Sequence, residues 1–116
     1  MTSDAAQTNG ELPELDHPLL ITALSGWIDA GGAAAAALDA IVNECTANVI
    51  ATFVSDEYID YRARRPVLTL DEGVHATLAW QEIQVLAGST PDGRDVVLLR
   101  GPEPDMKWNR FTTVMT

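Results

Sequence analysis

The chain has one cysteine, Cys45, among its 116 residues. A single cysteine excludes an internal disulfide framework and is typical of proteins in a reducing compartment. No apolar run approaches the roughly 20 residues that a membrane-spanning helix needs. Residues 1–16 hold acids but no Lys or Arg, so they lack the basic start of a secretory signal. We therefore expect a cytoplasmic protein that has no membrane as a partner.

Basic residues are absent from the first half of the chain. Residues 1–60 contain ten acids and no Lys or Arg, and residues 61–116 contain seven of each, which gives a formal net charge of −10. Nucleic-acid binding needs clustered positive charge, and anionic membranes attract basic segments. We therefore expect no nucleic-acid partner. The acidity favours solubility, and an acidic docking surface is the alternative.

Catalytic and metal-binding patterns are missing as well. His17 and His75 are distant from Cys45 in sequence, and neither a metal-ligand spacing nor a serine nucleophile elbow occurs. Asp71 and Glu72 are adjacent on a predicted turn, so their carboxylates point apart and suit shared acid–base chemistry poorly. We expect no catalytic residue, no metal and no cofactor, which favours a protein that is not an enzyme.

The sequence does contain the pattern of one α/β domain. With 47% hydrophobic and 21% charged residues, the composition is globular. Residues 19–24 and 49–54 are predicted buried strands, and residues 33–46 between them have apolar positions at helical spacing. Short links predict a parallel strand pair with a right-handed crossover. Residues 1–17 are predicted to be a disordered acidic tail before a folded region 18–116.

The second half predicts a hairpin. Pro91, Asp92 and Gly93 lie between strand-like residues 84–87 and 95–99, with a fixed φ at the proline and a permissive glycine. Residues 67–70 are a predicted short strand. These elements give a mixed, largely parallel sheet. A helix predicted from residue 108 is too short to cover its side of a sheet, so we expect the N-terminal portion of a longer, truncated α/β protein.

The loop after the first strand carries the main candidates for a site. Gly26, Trp27, Asp29 and Gly31 lie between a strand and a helix N-terminus, where ligands and anions often bind. The loop lacks the spacing of a phosphate loop and its lysine. Two interpretations stay open: Asp29 caps the helix, Trp27 packs as a plug and the glycines form the turn, or the loop binds a ligand or partner.

The charged segment 55–66 is a second candidate. It is either a solvated loop or short helical turn with weak ion pairs, or a contact surface that includes Arg65 and is anchored by Tyr58 and Tyr61. Trp108 is predicted near the same sheet edge as Trp27. There the two tryptophans would line a pocket or close the core.

Five short blocks, in order, resemble a known family. They are Gly26-Trp27-Ile28-Asp29-Ala30-Gly31, Arg65-Pro66 leading into Leu70-Asp71-Glu72-Gly73, the strand at Trp80, residues 93–101, and Glu103-Pro104-Asp105-Met106-Lys107-Trp108. Over residues 19–116 the chain resembles the PAC2 family, relatives of proteasome assembly chaperones, in its actinobacterial branch. The resemblance implies a three-layer α/β/α fold of the phosphorylase/hydrolase type in a chain more than twice this length.

Two functional hypotheses follow. The resemblance implies a chaperone-like interaction factor without enzymatic activity, which binds a protein partner such as proteasome α-subunits or self-associates as a homo-oligomer. The alternative is a binding protein or enzyme for a nucleoside- or nucleotide-like small molecule at the sheet edge near Trp27 and Trp108. That alternative is an analogy with phosphorylase-like folds.

Overall fold

The computed structural model describes residues 6–116, in which the predicted α/β pattern is present. The helices are α1 (Ala33–Glu44), α2 (Ser55–Tyr58) and α3 (Trp108–Met115), and a 3₁₀ turn covers Trp27–Asp29. The strands are β1 (Ala6–Thr8), β2 (Leu19–Ser25), β3 (Asn48–Phe53), β4 (Val67–Asp71), β5 (His75–Ala79), β6 (Gln84–Ser89) and β7 (Asp95–Pro102). Five of these strands form one sheet, and β4 and β5 form a separate hairpin.

The main sheet is mixed, as predicted, but it is not largely parallel. Its strand order is β1-β3-β6-β7-β2. Among the described strands of this sheet, only β2 and β7 pair in parallel, and the other three pairings are antiparallel. The predicted parallel pair is wrong because β2 and β3 run in the same direction but are not neighbours. The β6–β7 hairpin lies between them, since its apolar strands take the fully covered centre of the sheet.

The β6–β7 hairpin itself confirms the prediction from Pro91, Asp92 and Gly93. Its strands pair in antiparallel register from Gln84 opposite Arg100 to Ser89 opposite Asp95. The turn is closed by the N–H of Gly93, which donates to the carbonyl of Thr90 at 2.8 Å. Gly93 has a φ of 93°, a conformation that glycine adopts without steric cost.

Two hydrophobic cores lie on opposite faces of the sheet. One contains Leu38, Cys45, Leu86, Val96 and Leu98. The other, the aromatic core, contains Phe53, Tyr58, Ile59, Ile83, Leu99 and Phe111. Successive residues of a strand point to opposite faces. Leu98 therefore belongs to the first core and its neighbour Leu99 to the second. Helix α1 covers the first face, and α2 and α3 contribute to the second.

The N-terminal segment differs from its prediction. Ala6–Thr8 forms an edge strand that pairs antiparallel with β3, with Ala6 opposite Phe53. The predicted disordered tail is therefore wrong for these residues. An edge strand is held by backbone hydrogen bonds to its neighbour, so a short polar segment can join the sheet without an apolar pattern. Residues 1–5 of the predicted tail lie outside the described residues, and the boundary at residue 18 stays a prediction.

Gly101 allows the end of β7 to lie against the segment before β6. Its φ is 133°, a conformation that L side chains rarely adopt. A Cβ at this position would lie 2.3 Å from the carbonyl oxygen of Glu82 and 2.8 Å from the Cα of Ile83. Both neighbours are backbone atoms, which cannot rotate away. The position therefore requires glycine.

We expect Gly101→Ala to lower the free energy of unfolding by at least about 2 kcal/mol, because overpacking and an unfavourable φ each cost on the order of 1–2 kcal/mol. Urea unfolding measures the difference. Gly31→Ala is the matched control, since no described atom lies within 4 Å of its Cβ position, and we expect it to be neutral or slightly stabilising. Equal stability of the two variants would contradict the steric argument.

Candidate functional site

The carboxyl ends of β2 and β7 meet at one edge of the sheet. Their parallel register continues to the last residues, with Ser25 opposite Pro102. Residues 26–32 and 103–108 therefore leave the sheet side by side. The segment 55–65 joins them, because the N–H of Asp105 donates to the carbonyl of Tyr58 at 2.8 Å. We call residues 26–32, 55–65 and 103–108 together the sheet-edge site.

Asp29 caps helix α1. Its Oδ1 accepts the N–H of Ala34 and its Oδ2 accepts the N–H of Ala35, both at 3.0 Å. These donors belong to the first helical turn, where backbone N–H groups have no intrahelical partner. The capping interpretation is therefore supported. A carboxylate already occupies this end of the helix, which disfavours binding of an external anion there.

Gly26 makes room for Glu103. With a φ of 151°, a Cβ on Gly26 would lie 2.5 Å from Oε1 of Glu103. The same oxygen accepts the backbone N–H of Trp27 at 3.3 Å, and the N–H of Glu103 donates to the carbonyl of Ser25 at 2.8 Å. Glu103 thus connects the loop after β7 to the loop after β2. Gly31, in contrast, is exposed.

Trp27 is not a packing plug. Its residue is 93% exposed and Ile28 is 83% exposed. The 3₁₀ turn that carries them is closed by the N–H of Asp29, which donates to the carbonyl of Gly26 at 3.2 Å. The turn is held through its backbone and the Asp29 carboxylate, so neither large apolar side chain is needed for its internal contacts. Both project into solvent.

Trp108 lies at the same edge, as predicted, but not in the environment of Trp27. It is 46% exposed and packs edge-on against Phe111, with ring centroids 5.9 Å apart. It lines a cleft of about 320 Å³. The other lining residues are Thr22, Ala23, Leu24, Ile28, Asp29, Ala34 and Glu103. The cleft is thus mostly apolar, with two carboxylates at its wall.

The two tyrosines have different environments. Tyr58 is fully buried in the aromatic core, 5.4 Å from the ring of Phe53. It is therefore unavailable as a surface anchor, because the short helix α2 turns it inward. Burial raises the pKa of its hydroxyl. Tyr61 is half-buried, packs edge-on against Trp80 at 4.8 Å, and donates its hydroxyl proton to Asp56 at 2.8 Å.

Ion pairs connect the segments of the sheet-edge site. Arg64 lies with its Nε 3.2 Å from Oδ1 of Asp105 and its guanidinium 3.9 Å from Glu103. Lys107 donates a hydrogen bond to Glu57, and this contact holds the pKa of that carboxyl below its ordinary value. The predicted residue Arg65, in contrast, is exposed and lines a shallow depression beside Met106.

Sequence reasoning missed this network. Glu103, Asp105 and Lys107 occur in the quoted blocks and Arg64 lies in the candidate segment 55–66, yet none of the four was named as a site residue. The parallel pairing of β2 with β7 was the missing information, because it places residues 103–107 against residue 26. No local sequence signal specifies that pairing, so these residues could not be brought together from the sequence alone.

Two further properties concern the described residues 6–116. They contain no group of three or more His, Cys, Asp and Glu side chains that could hold a metal ion. None of their helices combines the length and apolar character required to cross a membrane.

We expect Asp29→Ala to destabilise the domain by about 1 kcal/mol, the usual cost of losing a helix cap. Asp29→Asn is the intermediate variant, because its single side-chain oxygen can accept only one of the two N–H groups that Asp29 accepts, so we expect a smaller loss than for Asp29→Ala. Thermal or urea unfolding of both variants measures the difference. Unchanged stability of Asp29→Ala would contradict the capping role.

We expect Tyr58→Phe to preserve or raise stability. The buried Tyr58 hydroxyl has no hydrogen-bond partner among residues 6–116, and an unsatisfied buried polar group costs about 1–3 kcal/mol. Tyr61→Phe is the matched control, which removes the bond to Asp56 and should cost about 0.5–1.5 kcal/mol. Urea unfolding compares them. A larger loss for Tyr58→Phe would show that its hydroxyl is satisfied.

Residues 23–116 match the sequence model of the PAC2 family. A proteasome-assembly chaperone homologue from Mycobacterium tuberculosis is 34% identical with a TM-score of 0.77, and the match covers 84% of this chain and 42% of that one. A PAC2 family protein from Streptomyces avermitilis MA is 33% identical with a TM-score of 0.73, over 84% and 42% of the two chains.

A protein of unknown function from Mycobacterium tuberculosis is 32% identical with a TM-score of 0.86, over 99% of this chain and 41% of that one. The chain thus spans about two fifths of the length of these solved relatives. No curated protein matches it. The family match covers most of the chain and includes the sheet-edge site, so this chain belongs to the PAC2 family.

Proposed function

We propose that this protein binds protein partners through the 3₁₀ turn at Trp27–Asp29, as a chaperone-like assembly factor that is not an enzyme. The observation that carries the proposal is the exposure of Trp27 (93%) and Ile28 (83%) beside each other. Tryptophan is enriched among the residues that dominate interface affinity. Adjacent exposed apolar residues of this size are typical of interaction sites.

The turn is well suited to binding because it is held in place. Contacts of Asp29 with α1 and of Glu103 with the N–H of Trp27 fix its backbone on both sides. A preorganised loop loses little conformational entropy when it binds. The indole of Trp27 would therefore act as a rigid anchor that enters an apolar pocket of the partner.

The charges beside the turn indicate which residues would surround that pocket on the partner. Asp29 and Glu103 lie next to the turn, and residues 1–60 contain no Lys or Arg. A complementary partner would have an apolar pocket with a basic rim. Since one relative is a proteasome-assembly chaperone homologue, we propose proteasome α-subunits as the first partner to test. The free, buried thiol of Cys45 is compatible with action in the cytoplasm.

A second candidate function rests on the cleft beside Trp108. Its volume of about 320 Å³ is at the lower end of small-molecule sites. The carboxylates of Asp29 and Glu103 would repel a phosphate group, so a neutral nucleoside fits better than a nucleotide. This candidate includes the three-layer, phosphorylase-like architecture, which is supported by helices on both faces of the sheet.

Binding to purified proteasome α-subunits tests the first proposal. We expect Trp27→Ala to weaken binding by at least about 30-fold, the effect of losing an interface hot spot of about 2 kcal/mol. Its melting temperature should equal that of the parent, because the indole makes few contacts within the chain. Val74→Ala, which truncates another exposed apolar residue (80%) outside the site, is the control and should bind normally.

Equal binding by the parent and Trp27→Ala would contradict the role of the turn, and no binding by the parent would contradict the partner. A thermal-shift series with adenosine, inosine and their monophosphates separates the second candidate. A nucleoside-dependent shift that Trp108→Ala abolishes and Trp27→Ala preserves would favour a small-molecule site. No shift with any of these compounds would exclude it.

A further inference from the structure

Strand β2 is an edge strand, and its outer side is unpaired among residues 6–116. The sheet gives it one neighbour, β7. At the end of this pairing the N–H of Glu103 donates to the carbonyl of Ser25 at 2.8 Å. Ser25 and every second residue before it therefore direct their backbone groups towards β7. The N–H and carbonyl groups of Leu20, Thr22 and Leu24 then point to the open side.

The features that usually protect an edge strand do not occur in β2. Its seven residues include no proline, glycine or charged side chain, and its register with β7 runs without a bulge. Leu19 is 46% exposed and Leu20 is 50% exposed. The opposite edge of the sheet differs, because β1 has only three residues and very short edge strands resist further pairing. A long, apolar, open edge is a template for another strand.

The cleft beside Trp108 lies along this open side. Three consecutive residues of β2 line it, namely Thr22, Ala23 and Leu24. Successive side chains point to opposite faces of a sheet, so a cavity that touches all three lies at the edge of the strand. Its walls come from the two faces, with Ala34 of α1 on one and Trp108 at the start of α3 on the other. The cleft is therefore a trough whose floor is the open edge of β2.

The trough suits an extended backbone better than a compact ligand. A strand added about 4.8 Å from β2 would pair with the outward groups of Leu20, Thr22 and Leu24 in one row. A compact molecule reaches only the groups within the cleft. The small side chains of Ala23 and Ala34, which line the cleft, leave room for the side chains of such a strand.

Charge distinguishes a strand of a partner from a second copy of β2. Acidic pairs flank both ends of the strand. At its start the N–H of Asp16 donates to the carboxylate of Asp95 at 2.8 Å, and at its end Asp29 and Glu103 line the cleft. A second β2, in either direction, would place acids against acids in chains of net charge −10. A segment with Lys or Arg at its ends is complementary instead.

We propose that the open side of β2 binds an extended, apolar segment of a partner protein, with basic residues at its ends, as an added strand of the sheet. The segment runs along the trough to Ile28, which lines the cleft, beside the exposed Trp27. This inference rests on the proposed function, because the partner bound at the Trp27–Asp29 turn supplies the segment. It adds the mode of recognition, in which main-chain hydrogen bonds give affinity and alternate side chains give specificity.

Amide hydrogen exchange, followed by NMR, tests the proposal with a synthetic strand. The probe is a capped peptide of about nine residues, long enough to span β2, with alternating valine and threonine between terminal lysines. We expect the amides of Leu20, Thr22 and Leu24 to exchange rapidly in the free chain and at least about 10-fold more slowly with roughly 1 mM peptide. The amides of Ile21 and Ala23, bonded to β7, should be protected in both states.

Two results of that experiment would overturn the proposal. One is unchanged exchange of the outward amides when the peptide is added. The other is protection of the same amides that rises with chain concentration in the absence of peptide, because a second copy of β2 would then occupy the edge.

A pair of substitutions separates backbone pairing from side-chain contact. Thr22→Pro removes one outward N–H and should weaken peptide binding at least about 10-fold. The fold should persist, because edge strands tolerate a proline whose nitrogen faces solvent. Thr22→Val is the matched control, which keeps the N–H and should bind like the parent in the same peptide titration. Equal binding by a folded Thr22→Pro variant and the parent would contradict strand addition.

Two methylated peptides test the same hydrogen bonds without changing the protein. N-methylation of the valines blocks the donors on one side of the added strand, and N-methylation of the threonines blocks those on the other. Only one of the two peptides should lose binding, and equal binding of both would overturn the proposal. Trp27→Ala should bind the unmethylated peptide like the parent. Since this assay contains no proteasome subunit, failure of the proposed function and failure of this inference are distinguishable.

Discussion

The parallel pairing of β2 with β7 is the constraint on which the sheet-edge site depends. The two strands end side by side at Ser25 and Pro102, so their following loops share one edge of the sheet. The loop after β2 then needs glycine at position 26, because Glu103 occupies the space a side chain would take. Family blocks far apart in sequence are adjacent for this reason. Without this one pairing, residues 26 and 103 would have no common surface.

How far the sequence predicts the fold depends on the range of each interaction. The β6–β7 hairpin is predictable because Pro91, Asp92 and Gly93 specify a local turn. Strand order is not, because the helix between β2 and β3 is compatible with either adjacent or separated strands. Edge strand β1 is held by backbone hydrogen bonds to β3, and these leave no side-chain pattern. Pairing between strands that are far apart in the sequence therefore determines the strand order, which local sequence patterns do not specify.

The candidate site shows the same division. The cap at Asp29 is a local feature of a helix start, and sequence reasoning included it as one interpretation. The inward position of Tyr58 and the outward position of Trp27 depend on packing against distant segments. The residue type alone suggests a buried position for Trp27, because tryptophan side chains are on average largely buried. Only the three-dimensional arrangement shows that Tyr58 is packed in the core and that Trp27 is exposed at the sheet edge.

Stability alone does not account for this arrangement. Arg64 and Asp105 have side chains only 23% and 20% exposed, and a partly covered pair is screened less by water than an exposed one. The Arg64–Asp105 ion pair is thus partly covered within the sheet-edge site, whereas the indole of Trp27 lies in solvent. Burying Trp27 would contribute roughly 2–3 kcal/mol, and the chain forgoes that contribution while fixing the turn around it. A rigid support beneath an exposed apolar side chain supports the proposal that a partner binds at this turn.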